Sequence, residues 1–261
     1  MIPVLVFDLE TVTDVAGLRR IHDIPATVTD PDVLAWFVQQ RRASSGSDFA
    51  PLHLQKVVAI GCALRDDSGL RVWSVGDLDD TEPELIRRFF DGIERFTPQL
   101  VSWNGGGFDL PVLHHRAMVH GVPAVRYWDW GDTDREFKYN SYLGRYHTRH
   151  IDVMDVLACY QPRASAKLDE MARLCGFPGK LGMDGSAVNA AIAEGRLAEV
   201  RRYCETDVVN TYLLYQRFRL MRGEVDAGAY AREMSLVRER LSSIDAPHWR
   251  EFLSAWDARA A

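Results

Sequence analysis

Pro3-Val4-Leu5-Val6-Phe7 runs without interruption into Asp8-Leu9-Glu10 near the start of the chain. A short, β-rich apolar run that breaks at two acids reads as a buried first strand whose C-terminal end carries carboxylates. Side chains two apart on a strand project from the same face, so Asp8 and Glu10 can share one metal ion while Leu9 packs into the opposite face. Hard oxygen donors of this kind suit Mg²⁺ or Mn²⁺. A solvated turn after a strand gives the same tripeptide, so its meaning depends on what the rest of the chain supplies.

Outward from this strand, residues 12–50 are mixed. A helix is expected over 31–42, opened by Pro31 in its first turn and followed by the Ser/Gly stretch 43–47; the whole reads as an insertion over the sheet edge. Residues 54–64 and 70–75 flank the polar turn Asp66-Asp67-Ser68-Gly69, the pattern of an antiparallel hairpin. Leu85, Ile86, Phe89, Phe90 and Ile93 recur at helical spacing over 82–96. A short strand at 99–103 and a helix at 108–120 follow. The second half is helix-rich: a strand at 150–153 leading into a helix up to 160, then helices at 167–175 and 197–221, and two more within 229–258. Alternating strands and helices point to an α/β layered fold.

Two further pieces carry chemistry. Ser102-Trp103-Asn104-Gly105-Gly106-Gly107-Phe108-Asp109 is a strand running through glycines into a helix that begins with an acid. The glycines allow a sharp turn with room for a ligand, and the helix dipole favours an acid in the first turn; simple N-capping by Asp109 fits the same residues. Gly-x-Gly-x-x-Gly is absent, which disfavours a dinucleotide site. Asn104 is expected to hold the turn or to contact substrate. In Tyr203-Cys204-Glu205-Thr206-Asp207, Tyr203 and Asp207 stand about 40° apart around a helix and face the same way, whereas Glu205 is turned away.

Taken in order, Asp8-x-Glu10, Asn104-x-x-x-Phe108-Asp109 and Tyr203-x-x-x-Asp207 resemble the three motifs of the DEDD exonuclease superfamily, in detail those of the proofreading exonuclease of family B DNA polymerases. Lys167-Leu168-Asp169-Glu170 and Gly182-Met183-Asp184-Gly185 are similar to the stand-alone exonucleases related to that domain. Arg202 stands where the histidine subtype would have His, so the resemblance is to the tyrosine subtype. The resemblance covers residues 2–220; the insertion after the first motif and the tail after 222 depart from it. It implies a ribonuclease H-like fold, a mixed five-stranded sheet flanked by helices, with 1–222 as the 3′-5′ exonuclease domain and 223–261 as a helical extension packed on it. It also implies Asp8, Glu10, Asp109 and Asp207 as ligands of two Mg²⁺ or Mn²⁺ ions about 4 Å apart, with Tyr203 orienting the attacking water. Single-stranded DNA, or RNA, would be shortened from its 3′ end to nucleoside 5′-monophosphates, with DNA repair as the setting. Asn104 and Phe108 would contact substrate.

Residues 135–150 place Arg135, Lys138, Arg145 and Arg149 among Tyr139, Tyr142 and Tyr146, against one acid, Glu136. Basic groups interleaved with rings suit a single strand, so Tyr142 and Arg145 are expected to grip it; a loop packing its aromatics on the core gives the same composition. Asp152 and Asp155 either add charge near the site or cap the helix that follows. A net charge of −6 over 261 residues argues against a protein that coats nucleic acid by bulk electrostatics. The four cysteines are scattered with no Cys-x-x-Cys pair, as buried reduced thiols would be. Without a basic n-region or a membrane-length apolar run, a cytoplasmic location is expected, with no membrane association. An exoribonuclease, and a non-catalytic nucleic-acid-binding module on the same fold, remain open alternatives.

Overall fold

The computed structural model describes residues 2–260. β1 (Val4–Thr13) lies at the centre of a five-stranded sheet of order β3-β2-β1-β4-β5. The insertion then forms α1 (Val15–His22) and α2 (Asp30–Ser45), capped by Asp14 and Thr29. β2 (Gln55–Asp66) and β3 (Gly69–Ser74) are the hairpin, β2 running antiparallel to β1. α3 (Glu82–Phe96), β4 (Gln99–Ser102), α4 (Asp109–His120), β5 (His150–Asp152) and α5 (Val153–Leu157) follow, with β1, β4 and β5 parallel. The remainder is α6 (Leu168–Leu174), α7 (Val188–Ala193), α8 (Leu197–Met221), α9 (Ala227–Ser242) and α10 (Pro247–Ala260). This is the ribonuclease H-like α/β arrangement: a mixed sheet with helices on both faces and a helical C-terminal extension. Among the described residues no helix is long and apolar enough to cross a membrane.

The unbroken apolar character of β1 follows from burial of both its faces. Leu5, Phe7 and Leu9 enter a core with Leu85, Phe89 and Leu113 of α3 and α4. Val4 and Val6 enter the opposite core, built on α8 from Val208, Val209, Tyr212 and Leu213. Strand alternation then puts Asp8 and Glu10 on the α8 face, beyond the end of that apolar layer. The β1–β2 register shifts between Glu10 and Thr11, a bulge of the kind that re-aims side chains at sheet ends. α9 and α10 cover α8 with Val237, Leu241, Trp249, Phe252 and Trp256.

The insertion differs from the expectation in two ways. α2 runs through Ser45 to a left-handed Gly46, and the Ser44 and Ser45 hydroxyls donate to carbonyls one turn back. Its own small core of Leu18, Val33, Phe37, Ala50 and Leu54 sits beside α4 rather than over an edge strand. Asp14 fixes it there: its carboxylate meets the buried Arg116 of α4 at 2.6 Å, and Arg116 also holds Glu82 of α3.

Candidate active site

Three elements bring the four expected carboxylates to the C-terminal end of β1. Asp8 and Glu10 come from the strand; Asp109 is the first residue of α4, and its Oδ1 accepts the Leu9 N–H at 2.9 Å, which ties the helix start to the strand between the two acids. Asp207 comes from α8, one turn after Tyr203. Glu10, Asp109 and Asp207 are 7%, 3% and 2% exposed, and Asp8 keeps a part of its surface open. Cys204 lies between them, its Sγ 3.3 Å from the Asp8 carbonyl and 3.6 Å from its Oδ2. Gly61 of β2 donates its N–H to that sulfur at 3.2 Å; a Cβ there would stand 2.9 Å from Sγ, so glycine is what lets α8 approach the sheet this closely.

Burial dominates the electrostatics. Asp8 is pushed well above the usual carboxylate range by burial, then by Asp109 and Asp207. Glu10 rises through burial, then through Asp8 and Asp207. Asp109 is raised to about 7 by burial, against the Leu9 hydrogen bond and with help from Asp152. Burial also raises Asp207, opposed by Lys180. Buried acids that repel one another are relieved by holding protons or by a cation between them. Asp207 Oδ1 has no hydrogen-bond partner among the described residues although it is shut off from solvent, an unmet acceptor that a cation would satisfy. The donor set of carboxylate oxygens fits a hard divalent ion such as Mg²⁺ or Mn²⁺. Burial, with the nearby acids, raises the Cys204 thiol, whose sulfur and a carboxylate oxygen of each of Asp8 and Glu10 lie within 4.8 Å of one another. Burial and then Asp207 raise Tyr203 as well, which keeps its hydroxyl protonated.

The glycine turn is organised from β5. Asp152 caps α5 through the Asp155 N–H and also accepts the Asn104 and Gly106 N–H groups at 3.0 and 2.8 Å. It braces the loop that launches Asp109. Asn104 adopts φ 68°, and its carbonyl accepts from Gly107 and Phe108. A Cβ on Gly105 would strike Ser102 Oγ, which explains a glycine at that point. Phe108 is half-buried, its ring 5.9 Å from Phe49 at the end of the insertion. Glu205 faces away as its helical position requires, accepting from Ser74 and lying 3.3 Å from His248 of α10.

Tyr142 lies in the core, contrary to the expectation that it grips a strand. It is 2% exposed, stacks on Tyr127 at 5.4 Å and donates its hydroxyl to the Pro98 carbonyl at 2.7 Å, so it is a core residue and not a free ring for a strand. Composition alone could not separate the two, because a ring with a satisfied hydroxyl is as buriable as any apolar one. Arg145 is exposed and lies over the Tyr160 ring at 4.9 Å, at a cavity of about 590 Å³ that Tyr146 and His147 also line and that reaches Gly106. Leu110, the residue after Asp109, and Asp152 line the same cavity. Sequence reasoning missed Lys180, whose Nζ is 2.9 Å from Asp207 Oδ2 and also donates to the Tyr203 hydroxyl. Only its place after Pro178-Gly179, in a turn between helices, marked it, and a turn lysine is ordinarily solvated.

The fold and the site together define a ribonuclease H-like domain with buried acids gathered at the end of its central strand. The match with known proteins narrows it: residues 47–256 match the family described as "Predicted 3'-5' exonuclease related to the exonuclease domain of PolB", and the chain belongs to that family. The first motif, Asp8 and Glu10, precedes the matched stretch. The chain is similar to the catalytic polypeptide of DNA polymerase epsilon from Saccharomyces cerevisiae, 26% identical over 148 residues, covering 54% of this chain and 6% of that protein. A catalytic polypeptide of the same polymerase from Arabidopsis thaliana is 25% identical over 147 residues, covering 52% and 6%. In fold it is similar to the family B DNA polymerase of the archaeon Pyrobaculum calidifontis, with a TM-score of 0.50 at 21% identity over 85% of this chain and 25% of the other. The chain thus spans a small part of the polymerases that it matches.

Proposed function

We propose that the protein is a metal-dependent 3′-5′ exonuclease that shortens single-stranded DNA and releases nucleoside 5′-monophosphates. The observation that carries this reading is the convergence of Asp8, Glu10, Asp109 and Asp207 from a strand and two helices into one buried cluster in which Asp207 keeps an unpartnered oxygen among the described residues. Residues 1–222 are the catalytic domain in this reading, and 223–261 an extension lying on α8.

Asp8, Glu10, Asp109 and Asp207 would hold two divalent ions. Such ions, when bound, acidify water and stabilise the departing 3′ oxygen of an in-line displacement at phosphorus. The chain's own residues then have separate tasks. The Leu9 N–H holds Asp109 toward the strand, and the Asp152-braced turn fixes where α4 begins. Tyr203, kept protonated, orients the attacking water through its hydroxyl instead of removing a proton. Asn104 and Phe108, on the turn beside Asp109, are suited to meet the terminal nucleotide, and Arg145 a phosphate further along. The polymerase relatives support DNA as the substrate.

Chromatography of the products from 3′-labelled single-stranded DNA and RNA tests this. Release of labelled deoxynucleoside 5′-monophosphate, with RNA spared, is the expected outcome. Efficient digestion of RNA alone would make the protein an exoribonuclease; binding of both strands without hydrolysis would leave the binding-module reading.

A further inference from the structure

Cys159 and Tyr160 stand one after the other at φ 49° and 59°, left-handed positions that residues with side chains rarely adopt. The Tyr160 N–H donates to the Asp155 carbonyl at 2.8 Å, so the chain curls back at the end of α5. This brings the Tyr160 ring to the wall of the cavity of about 590 Å³ beside the glycine turn. There it meets the Tyr146 ring edge to face at 5.5 Å, with the Arg145 guanidinium over it at 4.9 Å. Tyr146 is nonetheless 80% exposed, so most of its ring is uncovered.

Polar groups of both kinds line the same cavity. Neither the Arg145 guanidinium nor the half-buried Asp155 carboxylate makes an ion pair or a hydrogen bond among the described residues. His147 Nδ1 accepts the Ser141 N–H at 2.8 Å, which places the ring proton of the neutral imidazole on Nε2 and leaves that N–H as a donor. Asp152, by contrast, is occupied by the N–H groups of the turn. A cation, an N–H donor, a carboxylate acceptor and an open ring match the parts of a nucleotide: its phosphate, a sugar hydroxyl or base amine, and its base. The volume falls within the range of about 300–1,000 Å³ usual for small-ligand sites. Gly106 and Leu110 line the cavity, whereas Asp8, Glu10, Asp109 and Asp207 do not. We propose that it is a second nucleotide site, apart from the carboxylates, which takes one nucleoside monophosphate unit with its base against Tyr146, its phosphate on Arg145 and a hydroxyl or amine on Asp155. The unit belongs either to the strand being shortened or to a released mononucleotide, and the chemistry of recognition is the same. The inference rests on the nuclease reading above for the source of that nucleotide.

Calorimetric titration of the full chain with dAMP in EDTA reads this directly, since a carboxylate cluster without cations repels a phosphate. The wild type should bind dAMP at one site. Tyr146→Ala and Arg145→Ala, both at exposed positions that the fold does not depend on, should each weaken it by about tenfold or more, as loss of a stacked base or of a phosphate contact requires. Asp8→Ala should bind dAMP as the wild type does. Adding oligothymidylate then separates the sources: loss of the bound dAMP assigns the site to the strand, and dAMP that stays beside the bound strand assigns it to the free mononucleotide. No binding by the wild type up to millimolar dAMP, or an affinity that responds to Asp8→Ala and not to Tyr146→Ala or Arg145→Ala, would overturn the proposal. Because nothing is cleaved in EDTA, such a failure strikes the second site alone. A labelled strand left intact in Mg²⁺ would instead overturn the nuclease reading.

Discussion

Asp109→Asn in the metal-free protein should gain stability while losing function, and the size of the gain follows from the site. The Asp109 carboxyl stands at about 7 in the fold, whereas the unfolded chain releases the same proton near 3.9. The folded state therefore binds more protons than the unfolded state between those values. Stability is lost as pH climbs from about 4 to about 7, and above that the full cost of about 4 kcal/mol is in place. Asparagine carries no such cost and keeps an oxygen for the Leu9 N–H, now 2.9 Å from Oδ1. Its amide protons have no partner assured in that pocket, which costs about 1–2 kcal/mol. The variant should thus be more stable than the wild type by about 2 kcal/mol at pH 8 in EDTA, a rise in Tm of about 5 °C. Chemical denaturation at a series of pH values measures it. The advantage must shrink toward pH 4 and reverse below it, and saturating Mg²⁺ should stabilise the wild type more than the variant. A variant no more stable than the wild type at pH 8, or with an advantage independent of pH, would refute the argument that burial of this acid is a cost that a cation relieves.

The other residues give separable outcomes. Asp8→Ala should lower kcat on the order of a thousandfold and Tyr203→Phe about tenfold, since a ligand carries more of the transition-state charge than a hydroxyl that orients water; equal losses in steady-state assays would sink that division of roles. Gly61→Ala, which drives a Cβ to within 2.9 Å of Cys204 Sγ and 3.0 Å of its carbonyl, should cost about 1–3 kcal/mol in urea melts and reduce kcat by moving Tyr203 and Asp207. Tyr142→Phe leaves the Pro98 carbonyl, now bonded at 2.7 Å, unsatisfied and should cost about 1–2 kcal/mol with KM for single strands unchanged; a raised KM would restore Tyr142 as a substrate contact.

Legibility differed between local and non-local features. The hairpin, α3 and α8 lie where periodicity puts them, because each is long and buries a continuous stripe against the sheet. α1 and α7 went unseen: at 8 and 6 residues, with Leu18 the one buried side chain of α1, neither displays a period to read. The facing of Asp8 with Glu10 and of Tyr203 with Asp207 was legible because a strand alternates and a helix repeats, whereas their grouping with Asp109 as three motifs came from the family resemblance. Their mutual approach was not legible, since it depends on Gly61 admitting Cys204 and on the Leu9–Asp109 hydrogen bond across a separation of 100 residues. Lys180 is the clearest example of this limit, as it meets Asp207 and Tyr203 while Asn210 holds Gly179 and Asp169 holds the Lys180 N–H, and none of these share a local pattern with it. Tyr142 shows the converse: aromatic and basic residues in one segment describe a composition that a core and a binding surface share.

The central claim is most directly tested by incubating 5′-labelled single-stranded DNA with the wild-type protein in Mg²⁺, in EDTA, and with Asp8→Ala in Mg²⁺. A ladder that shortens one nucleotide at a time from the 3′ end, present only for the wild type with Mg²⁺, is the predicted result. Cleavage that persists in EDTA or with Asp8→Ala, or an intact strand under all three conditions, would contradict it.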